Sequence, residues 1–329
     1  MPTPEILVSY QLEPENRERL TAALPEGSKV RFLADISSNE RADAIAGAEV
    51  VVTWSPSKEF DVAEMGRLKR LRLLQVLTAG VDHLPFRDLP EGVLIASNPG
   101  AYAEPMAEHI LGLALALGKR LCRQHKRLAA GVFDQETKNR LLRGRTFGVL
   151  GFGGIGQAAA RLMRGLGLSI LALNTSGRTS EQVEFVGTLD DLEYVLQNAD
   201  ILLVCVPLTR RTKNLIGDRE LALMKPDAIL INSARGAIID EGALYRRLLD
   251  HPDFCAGIDA WWIEPSMGGE FKVHYPFFDL PNFLGSPHNS PIVPGTLHNA
   301  VRMAGENVAR FLRGEQIKGL VLAEDYIED

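Results

Sequence analysis

Cysteine, excess basic charge and long apolar runs are all scarce in this 329-residue chain. Its three cysteines, Cys122, Cys205 and Cys255, are an odd number. Two of them stand in apolar, strand-like surroundings, so they read as reduced thiols of a cytoplasmic protein, not as a secreted disulfide scaffold. Lys and Arg number 36 against 42 Asp and Glu, a net charge of −6. That balance argues against a nucleic-acid partner, and the cluster Lys138, Arg140, Arg143, Arg145 reads as a solvated face or arm. The longest apolar run, 110–118, falls well short of the ~20 residues that cross a bilayer. The start, MPTPEILVSY, has no basic segment leading into an apolar core, so neither a membrane span nor a leader is expected. No spacing of His, Cys, Asp and Glu suggests a metal site.

What the chain has instead is alternation. Short apolar runs at 5–10, 29–33, 48–54, 71–77 and 93–96 are followed by a second series at 146–150, 168–173, 201–206, 228–231, 255–259 and 283–285. Helical periodicity fills the gaps between them, which is the pattern of βα units around parallel sheets covered on both faces. The Asn98-Pro99-Gly100 turn and the breakers Pro287, Pro291, Pro294 and Gly295 mark crossovers. An amphipathic helix at about 296–312 returns to the first series. The expected organisation is therefore a discontinuous domain, 1–98 plus 292–329, with a second domain, 99–291, inserted into it.

The inserted part opens on Gly151-Phe152-Gly153-Gly154-Ile155-Gly156. This G-x-G-x-x-G follows an apolar run and begins a helix rich in alanine, the setting of a dinucleotide loop. Gly151 permits the tight turn, Gly153 a close approach of pyrophosphate to backbone amides, and Gly156 close packing of helix on sheet. About 20 residues on, an acid should hold the ribose hydroxyls of NAD. Asn174 stands there instead, followed by Thr175, Ser176 and Arg178. A carboxamide does not repel a 2′-phosphate and an arginine can pair with one, so NADP(H) is favoured over NAD(H).

Three later apolar runs each end in polar residues: Asn232-Ser233-Ala234-Arg235-Gly236, Asp259-Ala260-Trp261-Trp262-Ile263-Glu264, and Ser286-Pro287-His288. Ligands of open α/β sheets gather at such strand ends. A guanidinium there can clamp a carboxylate and polarise its neighbouring carbonyl. An imidazole can supply a proton, and a carboxylate beside it favours the imidazolium. This is the equipment of 2-oxo-acid chemistry.

With these residues the chain resembles the D-isomer-specific 2-hydroxyacid dehydrogenases, including glyoxylate/hydroxypyruvate reductases, nearly end to end. Leu142–Gly151, the segment Pro207-Leu-Thr-Arg-Arg-Thr212-Lys-Asn-Leu-Ile216 and Ser233-Ala-Arg-Gly carry the likeness further. The resemblance implies two doubly wound parallel-sheet domains, a Rossmann domain inserted into a flavodoxin-like substrate domain. It implies that Arg235 binds carboxylate and carbonyl, that His288 is the acid/base, and that Glu264 is its partner. Asp259 and the backbone around Ser233 and Ala234 lie by the nicotinamide. Val206, Pro207 and Thr212 line the adenosine side, and the loop Thr78-Ala79-Gly80-Val81 holds the substrate carboxylate. A homodimer through the segment 119–145 is implied as well, and the partner is otherwise a small 2-oxo or 2-hydroxy acid.

Three rivals share the fold. A phosphite dehydrogenase carries a lysine where Ala79 stands, and a formate dehydrogenase pairs its histidine with glutamine, not Glu264. A catalytically weak dinucleotide-sensing scaffold of the corepressor type would need partner proteins and shows no tail for them. His83, His109, His251, His274 and His298 read as structural, Asp82, Glu108 and Asp240 as caps or local pairs, and Trp261 and Trp262 as core or pocket wall. The aromatic-rich segment 266–278 is unusual and leaves substrate size open.

Overall fold

Side chains that alternate between two apolar clusters define each sheet. In the computed structural model, which describes residues 4–265 and 269–326, the chain divides into two units: one takes in the chain up to Tyr102 and again from Val293, the other is Ala103–Ile292.

The first unit has strands β1 (Glu5–Val8), β2 (Lys29–Phe32), β3 (Val50–Thr53), β4 (Leu73–Val76) and β5 (Leu94–Ala96). They pair in parallel in the order β5-β4-β3-β1-β2. Ile6, Val8, Val50, Val52 and Leu73 face one core cluster, while Leu7, Val51 and Leu74 face another. Both faces are thus buried, as near-continuous apolar strands require. The helix Thr296–Leu312 covers the first face with Val301, Ala304 and Val308. The returning chain then adds Leu320–Val321 (β13 in chain order) antiparallel to β5. That edge strand is a departure from the expected all-parallel sheet. Two residues are too few to leave a periodic signal, and the strand exists because β5 offers an open edge.

The second unit has β6 (Thr146–Leu150), β7 (Ser169–Leu173), β8 (Phe185–Gly187), β9 (Ile201–Val204), β10 (Ile229–Asn232), β11 (Cys255–Ile258) and β12 (Phe283–Gly285). Their order is β12-β11-β10-β9-β6-β7-β8, every pairing parallel. Leu202, Val204 and Leu230 fall in one cluster and Ile201, Leu203, Ile229 and Ile231 in the other. A one-residue slip would turn each set onto the wrong face. The short β8 is absent from the expected strands, since three residues carry no readable period. All seven strands run the same way, so the loops that follow them share one edge. The chain order reverses direction beside β6, where β7 lies on one side and β9 on the other, and that is where such sheets bind ligands. Among the described residues no helix is long and apolar enough to cross a membrane.

Candidate active site

The glycine loop after β6 is shaped by what a side chain would strike. Gly151 has φ +105, and a Cβ there would lie 2.6 Å from the Cys205 carbonyl carbon. A Cβ on Gly156 would lie 2.4 Å from the Gly151 oxygen. Over Gly153, by contrast, no protein atom comes within 4 Å. Its missing side chain leaves room for something other than the protein, directly before the helix Gly154–Gly165. A pyrophosphate fits that space, with the positive helix end toward it. The Phe152 ring is buried in the core and Ile155 packs against it, so these two offer backbone only. Burial pushes the thiol of Cys205, behind the loop, up to about 12, which keeps it neutral.

Asn174, following β7, is consumed by its own turn. Its Oδ1 accepts from Ser176 N at 3.0 Å and Gly177 N at 2.7 Å, and its Nδ2 donates to the Arg178 carbonyl at 2.9 Å. Thr175, Ser176 and Arg178 are exposed, and the Arg178 side chain has no ion-pair or hydrogen-bond partner among the described residues. After β9, Val206 is half-buried, and Thr212 closes a turn, donating to the Pro207 carbonyl at 2.6 Å and accepting from Thr209 N at 2.8 Å.

Arg235, Asp259 and Ser286–His288 follow the neighbouring strands β10, β11 and β12. Asn232 shapes the first loop: its Oδ1 accepts from Ala234 N and its Nδ2 donates to the Arg235 carbonyl. Arg235 Nη1 reaches the Ala234 carbonyl at 2.7 Å. A Cβ on Gly236 would meet the Trp261 carbonyl carbon at 2.2 Å, so the arginine turn lies flat on the Trp261–Trp262 backbone. The buried hydroxyl of Ser233 has no partner among the described residues, a polar atom left over at this edge.

Glu264 is 5% exposed. It accepts from Trp261 N at 2.7 Å and lies 3.0 and 2.8 Å, through its two oxygens, from His288 Nδ1. A carboxylate that claims Nδ1 fixes the imidazole's orientation and leaves Nε2 as the free nitrogen. His288 itself has φ 50, a left-handed conformation uncommon outside glycine and a form of strain that clusters at functional sites. Asp259 holds that turn. It is fully buried and accepts from Ser286 Oγ at 2.6 Å, Asn289 N at 3.2 Å and Ser290 N at 3.3 Å. Successive backbone N–H groups converging on one carboxylate make an anion nest. Trp261, buried as expected of core, adds a bond from Nε1 to the Ser286 carbonyl at 2.7 Å.

In the first unit, the Thr78 hydroxyl donates to the Gly80 carbonyl at 2.7 Å, Ala79 and Gly80 are half-buried, and Val81 is buried. Asp240 caps its helix through Ala243 N, His274 pairs with Glu241, His83 meets the Trp54 carbonyl and His298 lies near Glu15. Asp240 thus caps its helix, and these three histidines have partners within the protein. His109 is different, because its Nε2 lies 2.8 Å from Ser286 Oγ. Sequence reasoning missed this contact, which spans 177 positions. Residues 266–268 of the unusual segment lie outside the described residues; Phe271 and Phe278 pack on Trp261. Among the described residues no group of His, Cys, Asp and Glu could hold a metal ion.

Residues 111–290 match the model of the D-isomer-specific 2-hydroxyacid dehydrogenase NAD-binding domain. The chain belongs to that family. This family of oxidoreductases works with a nicotinamide dinucleotide, and the glycine loop fits one. Glyoxylate/hydroxypyruvate reductase B of Pectobacterium carotovorum is 32% identical over 279 residues, 83% of this chain and 85% of that protein. D-3-phosphoglycerate dehydrogenase of Methanocaldococcus jannaschii is 30% identical over 303 residues, 91% of this chain but 56% of the relative, so this dehydrogenase-family chain spans little more than half of that protein's length. Among solved structures, a D-isomer-specific 2-hydroxyacid dehydrogenase family protein from Aeromonas salmonicida is 25% identical, with a TM-score of 0.77 over 98% of this chain and 99% of that one.

Proposed function

We propose that the protein reduces a small 2-oxo acid, of the glyoxylate or hydroxypyruvate kind, to the D-2-hydroxy acid. The observation that carries this reading is the His288–Glu264 pair, at 2.8 Å, on the strand-end edge that also carries Arg235. With Nδ1 held by the carboxylate, His288 Nε2 carries the proton that the substrate's carbonyl oxygen receives. Glu264 stabilises the imidazolium before that transfer and keeps the ring in place after it. Arg235 pairs with the substrate carboxylate and draws charge onto the carbonyl oxygen. A reduced dinucleotide, when bound, would supply a hydride to the carbonyl carbon; with the proton from His288 the carbonyl gains two electrons and two protons in all. The Thr78–Val81 loop is assigned to the substrate carboxylate on the strength of the resemblance.

For the dinucleotide itself, we read Gly151, Gly153 and Gly156 as the pyrophosphate cradle. The exposed Ser176 and Arg178 suit a 2′-phosphate, and NADP(H) is the preferred form. Asp259 serves by holding the His288 turn. A homodimer fits the segment 119–145, where Leu121, Leu128, Phe133 and Leu141 are exposed although apolar. The relative from Pectobacterium, named for glyoxylate and hydroxypyruvate, supports the substrate class.

The test is the loss of reduced-nicotinamide absorbance with glyoxylate, hydroxypyruvate and pyruvate, each with NADPH and NADH. Oxidation with a small 2-oxo acid, faster with NADPH, is expected. No oxidation with any of them would overturn the reading.

A further inference from the structure

Helix Ala103–Gly118 buries Met106, Ala107, Ile110, Leu113, Ala114 and Leu117, the 3-and-4 spacing of a single apolar face. That face packs closely on β11: a Cβ on Gly257 would come 3.2 Å from Leu117 Cδ1 and 3.4 Å from Leu113 Cβ, so the leucines would have to give way. One turn before Leu113, His109 stands at the flank of the face, its side chain 26% exposed. Its Nε2 lies 2.8 Å from Ser286 Oγ, which in turn lies 2.6 Å from Asp259 Oδ1.

Proton counting fixes the direction of this chain. Ser286 has one hydroxyl hydrogen, and the carboxylate 2.6 Å away can only accept it. The hydroxyl oxygen is then free to accept, so the Nε2 of His109 has to carry a hydrogen. The order is His109 Nε2–H to Ser286 Oγ, then Ser286 O–H to Asp259 Oδ1. Asp259 is also the acceptor for Asn289 N and Ser290 N, the two amides that follow His288 in its left-handed conformation.

We propose that His109 is a positioning residue. From the helix it orients the Ser286 hydroxyl, Ser286 orients Asp259, and Asp259 holds the His288 turn at the angle proton transfer needs. The proposal rests on the reading of His288 as the acid/base. It adds a residue that acts on the His288 turn through Ser286 and Asp259, its Nε2 lying also 3.7 Å from Asp259 Oδ1 itself.

Three variants and one spectroscopic measurement test it. His109→Leu removes the donor and is expected to lower kcat by roughly tenfold, about what one well-placed hydrogen bond is worth, with the KM for the 2-oxo acid little changed. His109→Gln places an N–H near the same point and is expected to restore kcat to within about threefold, following that same bond. In a Ser286→Ala background, His109→Leu should cost clearly less than in the unmodified protein, because the link through the hydroxyl is already cut and only the 3.7 Å approach of Nε2 to Asp259 Oδ1 is left. Equal losses for Leu and Gln, or losses that multiply in the double variant, would overturn the proposal. Ring ¹⁵N shifts of the unmodified protein should show a hydrogen-bearing Nε2 at His109. A bare Nε2 would overturn the proposal even if His109→Leu did not fold. Failure of the acid/base reading shows separately, as an unmodified protein inert toward every 2-oxo acid, and the ring-nitrogen measurement does not depend on it.

Discussion

Two polar residues end strands of the same sheet, and they are satisfied in opposite ways. Asn174, after β7, finds its partners at Ser176, Gly177 and Arg178, within four positions along the chain. Asp259, after β11, takes its donors from Ser286, Asn289 and Ser290, 27 to 31 positions away. The first turn is half-exposed and autonomous. In the second the carboxylate itself is fully buried, and the turn exists only when β12 is already docked on β11. A local turn can be retuned for a different ligand at little cost to the fold, whereas a non-local one binds the chemistry to the fold's integrity.

The largest expected effect lies inside the non-local turn. His288→Asn removes the titrating group and should cut turnover by about 10³-fold, within the range for a general acid, while dinucleotide binding, followed by nicotinamide fluorescence, stays within about twofold. Retained turnover would remove His288 from the chemistry. Next comes Asp259→Asn. Its Nδ2 would replace either the oxygen that accepts from Ser286 Oγ and Asn289 N or the one that accepts from Ser290 N, setting a buried donor against a backbone N–H in both cases. Such a group costs about 1–3 kcal/mol, so thermal unfolding should come several degrees earlier for a protein of this size. Turnover should fall together with stability. An unchanged melting temperature would show that the turn does not depend on this carboxylate.

Glu264→Gln is milder. The amide can still accept from Trp261 N, which now bonds Glu264 at 2.7 Å, and can still meet His288. It loses only the charge opposite the imidazolium, and turnover should drop by about tenfold, less than the loss of the acid itself. A drop equal to that of His288→Asn would mean that Glu264 does more than orient and balance charge.

The same contrast governs how much of the molecule was legible beforehand. The βα alternation and the 296–312 helix could be read from periodicity, because each strand buries both faces. The glycine loop could be read because its constraint is local. Arg235, Glu264 and His288 stood out by motif, yet the bond between the last two depends on β11 and β12 lying side by side, which periodicity does not encode. His109 carried no signal at all, since its helical neighbours fully account for it as a flank residue. Its partner lies across the sheet edge. The edge strands β8 and β13 escaped for a related reason: each is defined by the neighbour it pairs with and not by its own composition.

The smallest expected effect belongs to the local turn, and it tests whether that turn selects the dinucleotide. Asn174→Asp keeps an oxygen for the Ser176 and Gly177 amides but forfeits the 2.9 Å bond to the Arg178 carbonyl and sets an anion beside it. The site is partly exposed, so the loss should be about 0.5–1.5 kcal/mol at most. The new carboxylate repels a 2′-phosphate and can accept from ribose hydroxyls, so the kcat/KM ratio of NADPH to NADH should fall by about tenfold, as one misplaced charge allows. Arg178→Ala should move the same ratio the same way through the KM for NADPH alone, by removing an exposed guanidinium that the protein itself does not engage. Equal changes for both dinucleotides in the two variants would mean that the turn after β7 does not read the 2′-position. The choice would then lie elsewhere along the edge.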